Sequence, residues 1–275
     1  MTGEKFTIGL VQMTSSNVVA ENMATVEAFI REAAEGGADL VMTPETTTIL
    51  ELSRKALFEK IHREEDDPSV KQFAALAKEL GIWLLIGSMP ILLGEKVANR
   101  CFVFGPDGEI RHRYDKIHMF DVDLPNGEQY RESRSYHAGD QAVLADLPWG
   151  RMGLTICYDL RFPHLYRKLA QGGAVMLSVP AAFTRQTGEA HWHTLLKARA
   201  IENGAFVFAP AQTGRHASGR ETFGHSLVID PWGNILADGG DKPGLSLVEI
   251  DLMLVGKARA NIPSLQHDRQ IAGPA

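Results

Sequence analysis

The chain has 275 residues, of which 44% are hydrophobic and 23% charged, with a formal net charge of −6. That size and apolar share can bury a large core and exclude wholesale disorder. No basic stripe accompanies the sequence pI of about 5.9, which excludes nucleic acid as an expected partner. No run approaches the roughly 18 apolar residues of a membrane span, because Gly87, Ser88 and Pro90 break the most apolar stretch, Ile82–Leu93. Met1–Met13 lacks the basic head, apolar middle and cleavage site of a signal peptide. Cys101 and Cys157 form neither a disulfide framework nor a zinc spacing. A reducing, cytoplasmic setting without a metal is therefore expected.

Strand-like and helix-like patterns alternate along the chain. Phe6–Gln12 reads as a buried strand. Ser16 or Asn17 is placed to cap a helix that ends at Gly36-Gly37. Leu40–Thr43 is a short strand ended by Pro44. Ser69 opens a second long helix, closed by Gly81, and Trp83–Gly87 and Cys101–Phe104 are strands again. Val103–Ile110 (VFGPDGEI) and Val228–Ile235 (VIDPWGNI) both place Pro-x-Gly at a turn, as hairpins do. Leu147–Gly150 is a related turn before the strand Arg151–Cys157. Pro163–Gln171 reads as a helix, Val175–Val179 as a strand, and Thr187–Asn203 as a helix that starts at Thr187 and stops at Gly204. Phe206–Ala209, Ser226–Ile229 and Leu245–Ile250 complete the strands. About four good helices among many strands indicate an α/β fold with mixed sheets. With no linker in sight, residues 1–275 read as one domain, with 262–275 as an extended tail.

Three residues stand where α/β proteins place chemistry. Cys157 ends an apolar strand and precedes a helix, an elbow where backbone N–H groups are free. The helix start and Arg161 are expected to lower its pKa. A small buried hydrophobe is the competing reading. Cys101, inside a strand with no elbow after it, reads as packing. Glu45 follows the strand-ending Pro44, at a strand C-terminus, though an ordinary loop acid fits as well. Lys116, in Arg113–Asp121, carries no signal of its own and fits a solvated face.

Taken together, Pro44-Glu45, Asp115–His118 and Ile156–Pro163 resemble the Glu-Lys-Cys triad of the nitrilase superfamily of carbon–nitrogen hydrolases, in order and spacing. Glu132 in Tyr130–Ser133 matches a second glutamate often counted with that triad. The similarity runs from Ile8 to about His267. Within the superfamily the chain is similar to the Nit1-type amidases, which act on deaminated glutathione. This rests on Phe120–Val122, Arg131–Ser133, Pro180–Thr184, Thr187–Trp192, Ala198–Asn203 and Gly224–Ser226. The insert Leu124–Tyr130 departs from that branch and borders Glu132, so the pocket's shape is where a difference is expected. The resemblance implies a four-layer α-β-β-α sandwich with two mixed sheets, a small-molecule amide substrate, no cofactor, and a homodimer or higher homo-oligomer.

The chemistry that follows is thiol hydrolysis. Cys157 attacks the amide carbon, Glu45 takes its proton, and Lys116 with the Tyr158 N–H holds the oxyanion. A thioester then forms and is hydrolysed by water that Glu45 activates. The resemblance implies a 2-oxoacid end held by Arg161, Phe183 and Thr187, with an Arg161–Asp159 salt bridge as the competing role for Arg161. Other readings stay open: an omega-amidase or N-carbamoyl amino acid amidohydrolase with the same triad, a nitrilase proper, a Cys–His enzyme using His225, or a non-catalytic binding protein. His191 and His193 fall on different helix faces, which opposes a metal shared between them.

Overall fold

The computed structural model describes residues 5–125 and 127–273. Two sheets form the centre. The first has strand order Gly244–Asp251, Lys5–Gln12, Leu40–Met42, Trp83–Leu93, Lys96–Phe104, Ile110–Asp115, with Tyr136–His137 added beside Lys96–Phe104. The second has the order Ile235–Asp238, Leu227–Ile229, Phe206–Ala209, Ala174–Ser178, Gly150–Leu154, Val143–Leu147. Both are mixed. Ile8 pairs with Leu40 and Met176 with Phe206 in parallel, whereas Phe6 pairs with Ile250 and Met152 with Ala145 antiparallel.

The side-chain period of two decides which layer each strand residue serves. Phe6, Ile8, Leu10, Leu40, Met42, Leu85, Cys101 and Val103 share one core cluster with Ala145, Met152, Met176, Phe206 and Phe208 of the second sheet. Phe6 makes this junction directly, stacked on Trp149 at 4.4 Å and edge-on to Phe208 at 6.4 Å. The intervening residues Val11, Val41, Leu84, Ile86, Phe102 and Phe104 join Val26, Ile30, Val70, Phe73 and Leu76 from two helices on the opposite face. Those helices are Val19–Glu35 and Pro68–Leu80. Leu165, Tyr166, Leu169, Trp192, Leu196 and Ala200, from helices Pro163–Gln171 and Arg185–Asn203, join the cluster of the second sheet. The result is the α-β-β-α sandwich.

Several boundaries differ from the sequence expectation. The residue before the first helix is Val18, while the Ser16 hydroxyl accepts from the Val18 N–H at 3.0 Å. Asp67, not Ser69, caps the second helix and accepts from the Ser69 and Val70 N–H groups. Pro68 at the first helical position needs no such partner. Thr184, not Thr187, precedes the helix Arg185–Asn203, so Thr187 is already inside its first turn. Two helices are additional, Arg54–Phe58 and Met253–Asn261. The tail 262–275 is not uniformly extended, since Ser264–Gln266 forms a 3-10 turn and Arg167 pairs with Asp268. Residues 274 and 275 lie outside the described residues, as does Asn126 of the Leu124–Tyr130 insert.

Candidate active site

The ends of both sheets meet at one cavity of about 260 Å³, lined by Glu45, Lys116, Glu132 and Cys157 among others. Glu45 follows the strand Leu40–Met42, and Lys116 follows Ile110–Asp115. Cys157 follows Gly150–Leu154 and opens the 3-10 turn Cys157–Arg161. Sites at the C-terminal ends of parallel strands are the general habit of such sheets.

Each loop is pinned by polar contacts that sequence order does not reveal. The Thr43 and Thr47 hydroxyls lie 2.7 Å apart, Gly87 N donates to Thr43 Oγ1 at 3.1 Å, and Thr47 Oγ1 donates to the Pro44 carbonyl at 2.6 Å. Gln212 Nε2 donates to the Glu45 carbonyl at 3.0 Å. This threonine-rich segment is therefore an internal buttress, and Glu45 is only 4% exposed. Gly87 closes the space between the loops. A Cβ there would lie 2.1 Å from the Thr43 carbonyl oxygen and 2.4 Å from Pro180 Cβ.

The Cys157 elbow is held from two sides. Cys157 N donates to the Pro180 carbonyl at 2.9 Å. Its φ of 49° lies in the left-handed region, which a side chain occupies only when its surroundings enforce it. Asp159, fully buried, is the main enforcer. Its carboxylate accepts from Tyr114 Oη at 2.6 Å, Ile156 N at 2.9 Å and His118 N at 3.0 Å, and meets His118 Nδ1 at 2.7 Å. One carboxylate thus ties the loop carrying Lys116 to the loop carrying Cys157.

The charged groups then converge. Lys116 Nζ, on a residue 2% exposed, donates to Glu45 Oε1 at 2.9 Å and to Glu132 Oε1 and Oε2 at 3.1 and 2.9 Å. Asn99 Nδ2 bridges the same carboxylates at 3.0 and 3.3 Å, and Phe120 N holds Glu132 Oε2 at 2.7 Å. Ala182 N donates to Glu45 Oε2 at 2.8 Å. Cys157, 6% exposed, lines the same cavity as Glu45. Tyr158, second in its 3-10 turn, has an N–H with no acceptor inside that turn.

These contacts set the protonation states. Burial pushes the Glu45 carboxyl up, but Lys116, by charge and hydrogen bond, and the Cys157 thiol outweigh it and hold it below the ordinary value. Burial opposes the Lys116 charge, yet Glu132 and Glu45 raise its pKa well above that of a free lysine. Burial and the Glu45 charge push the Cys157 thiol well up, against the pull of Lys116. This reverses the expected lowering by the turn and Arg161. Desolvation beside a carboxylate exceeds the effect of a short helix start. The resting set is carboxylate, ammonium and neutral thiol.

Tyr158, Phe183 and Thr187 line the cavity as well, and Arg161 is not among the lining residues. Its guanidinium sits 5.4 Å from the Phe183 ring centre and 6.0 Å from that of Tyr158, and Nη2 lies 3.3 Å from His191 Nδ1. The alternative Arg161–Asp159 pair is not formed, because Asp159 is occupied by Tyr114, His118 and Ile156. His225 lines a different cavity, facing Asp238 at 2.8 Å, so it offers Cys157 no base. His193 and His225 both meet the Asp238 carboxylate, with candidate ligand atoms within 4.8 Å of one another. Their nitrogens already have that carboxylate as partner, a brace that also fits the carbonyl-to-indole bond between His225 and Trp192 at 2.8 Å. Asn99, Asp159, Gly87 and Arg220 were not singled out from sequence. Most of their contacts are with residues distant along the chain.

The carbon-nitrogen hydrolase family matches residues 7–260. The chain is 40% identical over 271 residues to the deaminated glutathione amidase of Yersinia enterocolitica, covering 96% of this chain and 93% of that one. It is 35% identical over 264 residues to the omega-amidase of Homo sapiens, covering 96% and 95%. The crystal structure of the C. elegans NitFhit protein superposes with a TM-score of 0.89 at 35% identity, covering 98% of this chain and 66% of that one. The chain belongs to the carbon–nitrogen hydrolase family, within the nitrilase superfamily. It is an amidase, an enzyme that hydrolyses a carbon–nitrogen bond of an amide.

Proposed function

We propose that this amidase works through a thioester on Cys157. As sulfur attacks the amide carbon, the thiol proton passes to Glu45. The Lys116 ammonium and the Tyr158 N–H face the oxygen that gains charge. Collapse of the tetrahedral adduct breaks the C–N bond, and Glu45 returns the proton to the leaving amine. Water, deprotonated by Glu45, then attacks the thioester; the acid leaves and the thiol is restored. A neutral thiol suits concerted proton transfer to an adjacent carboxylate. Glu132 acts as a positioning residue that fixes Lys116. Tyr158, Phe183 and Thr187 contact the substrate, and Arg161 braces Phe183 through its ring face.

The observation that carries this reading is the ammonium held within about 3 Å of both carboxylates, in a cavity that the Cys157 thiol also lines. The proposed substrate is a linear amide of a dicarboxylic 2-oxoacid resembling deaminated glutathione, as the name of the Yersinia relative suggests. An omega-amidase acting through the same groups is the second reading, favoured by the similarity to the human relative. Intact-protein mass spectrometry during turnover of a slow amide should show an acyl mass on Cys157, absent in Cys157→Ser. Turnover with no acyl species in wild type would sink the thioester route. Rates on deaminated glutathione, 2-oxoglutaramate and carbamoyl amino acids separate the substrate readings.

Two further features complete the proposal. A homodimer or higher homo-oligomer would cover Ile201, Trp232, Ile235 and Leu236, which are 53%, 55%, 40% and 41% exposed on the helix Arg185–Asn203 and the hairpin it abuts. Light scattering would measure that state. Both cysteines are free and buried, which suits the reducing cytoplasm, and no helix among the described residues is long and apolar enough to cross a membrane.

A further inference from the structure

We propose that Arg220 is the group that binds a carboxylate at the far end of the substrate, away from the scissile amide. The inference deepens the amidase reading and rests on it.

The cations lining the cavity differ in how far their charge is already used. Lys116 is held by two carboxylates. Arg131 is bidentate to Asp123, at 2.7 and 2.9 Å, and donates to the Val122 and Tyr130 carbonyls. Arg54 is exposed to solvent, over the Phe58 ring and near the Glu95 carbonyl. Arg220 is half-buried and lines the cavity. Its Nη2 donates to the Ala182 carbonyl, and its guanidinium sits 5.1 Å from the Tyr130 ring centre. Among the described residues no carboxylate pairs with it. Its Nε is buried with no hydrogen-bond partner at all.

A guanidinium drawn out of water without a counter-charge is costly to keep. Here the fold keeps it, stacked on an aromatic face that fixes its plane, beside an open space lined by Tyr130 and Phe183. Arg220 lines the same cavity as the reacting groups, and its charge is felt at Glu45, Tyr130 and Tyr136. An anion entering there gains a charge-assisted, potentially two-point contact, which an arginine fork provides best. The site accepts a carboxylate rather than a second amine or an apolar tail. Arg161, expected to hold such a carboxylate, stands outside the lining.

The competing explanation is that Arg220 merely positions Ala182, whose N–H holds Glu45. The test compares two amides of equal length, glutaramate and pentanamide, in wild type, Arg220→Met and Arg220→Lys. The expected result is that the glutaramate-to-pentanamide ratio of kcat/KM falls by roughly 30-fold or more in Arg220→Met, the low end for removing one partner of a desolvated charge pair. The loss should appear mainly in KM for glutaramate, with part of the ratio restored by Arg220→Lys. An equal loss on both amides, or an unchanged ratio, overturns the proposal. Calorimetry with glutarate needs no turnover. Weaker glutarate binding in Arg220→Met than in wild type supports the subsite, even if no amide is hydrolysed and the amidase reading itself fails. Equal binding by the two proteins refutes it.

Discussion

Replacing Lys116 by methionine tests the physical core of the site. The side chain is 2% exposed and contacts two carboxylates whose side chains are 6% and 13% exposed. Methionine fills similar volume but leaves two acids facing each other with no cation. Removing one partner of a buried ion pair destabilises by about 3–5 kcal/mol, because the remaining charge is uncompensated. The acids can limit this by sharing a proton, as close carboxylates do. For a chain of this size 1 kcal/mol moves Tm by roughly 2–4 °C, so a fall of roughly 6–20 °C is expected at neutral pH. The deficit should shrink in acid, where wild type also loses the charges that Lys116 compensates. Independently, loss of an oxyanion donor raises the barrier by about 2.7–4 kcal/mol, a rate loss on the order of 100- to 1000-fold. Thermal unfolding between pH 5 and 8, with kcat measured below the variant's Tm, reads both effects. A wild-type Tm at neutral pH, or near-normal turnover, would refute this account of Lys116.

Three other changes probe the supports. Gly87→Ala should destabilise by about 1–3 kcal/mol through overpacking and lower kcat, since its methyl meets the Thr43 and Pro44 carbonyl oxygens and Pro180 at 2.1–2.6 Å; chemical denaturation and steady-state kinetics would measure this, and a neutral outcome contradicts the tight junction. Asp159→Ala leaves the buried Tyr114 hydroxyl and Ile156 N–H without their acceptor, at about 1–3 kcal/mol each, so denaturation should show a large loss and Asp159→Asn a smaller one. The pH profile of kcat/KM should be flat across neutrality. Glu45 is held below its ordinary 4.5, so the base is lost only as pH falls through that lowered value, and Cys157 and Lys116 are both raised, so the alkaline limit lies above their ordinary 9.0 and 10.5. The stability contributions follow the same signs: that of Glu45 is lost toward acid, and those of Lys116 and Cys157 toward alkali. An essential group titrating near 6.5 would point to a histidine and against Glu45.

Local pattern was legible wherever one residue decides one element. The helix Pro163–Gln171 has the expected bounds because a proline opens it and Gly172-Gly173 follows it. Pro-x-Gly marked both hairpin turns, where Gly108 and Gly233 take φ of 83° and 89°. Sequence leaves Asp67 and Ser69 both able to cap the second helix, since both residue types cap well and only geometry shows that Asp67 reaches the free N–H groups. The helix Met253–Asn261 gave no signal because only Val255 and Ala258 are buried on it. It is held instead by Arg259 bonding to the Gly204 and Ala174 carbonyls. For Arg161, a position four residues after Cys157 suggests a clamp, and the side chain lies over the Phe183 ring.

What sequence alone indicated is the class of fold and the candidates Glu45, Lys116, Glu132 and Cys157, which line one cavity, because alternation and ordered motifs are properties of neighbours along the chain. Tertiary structure decided their chemical states. Burial beside Glu45 keeps the thiol protonated, two carboxylates keep the lysine charged, and Asp159 locks the elbow. It also decided that Arg220 rather than Arg161 faces the cavity. Desolvation and ion pairing depend on distances across the two sheets, and nothing in the linear order of residues encodes those distances directly.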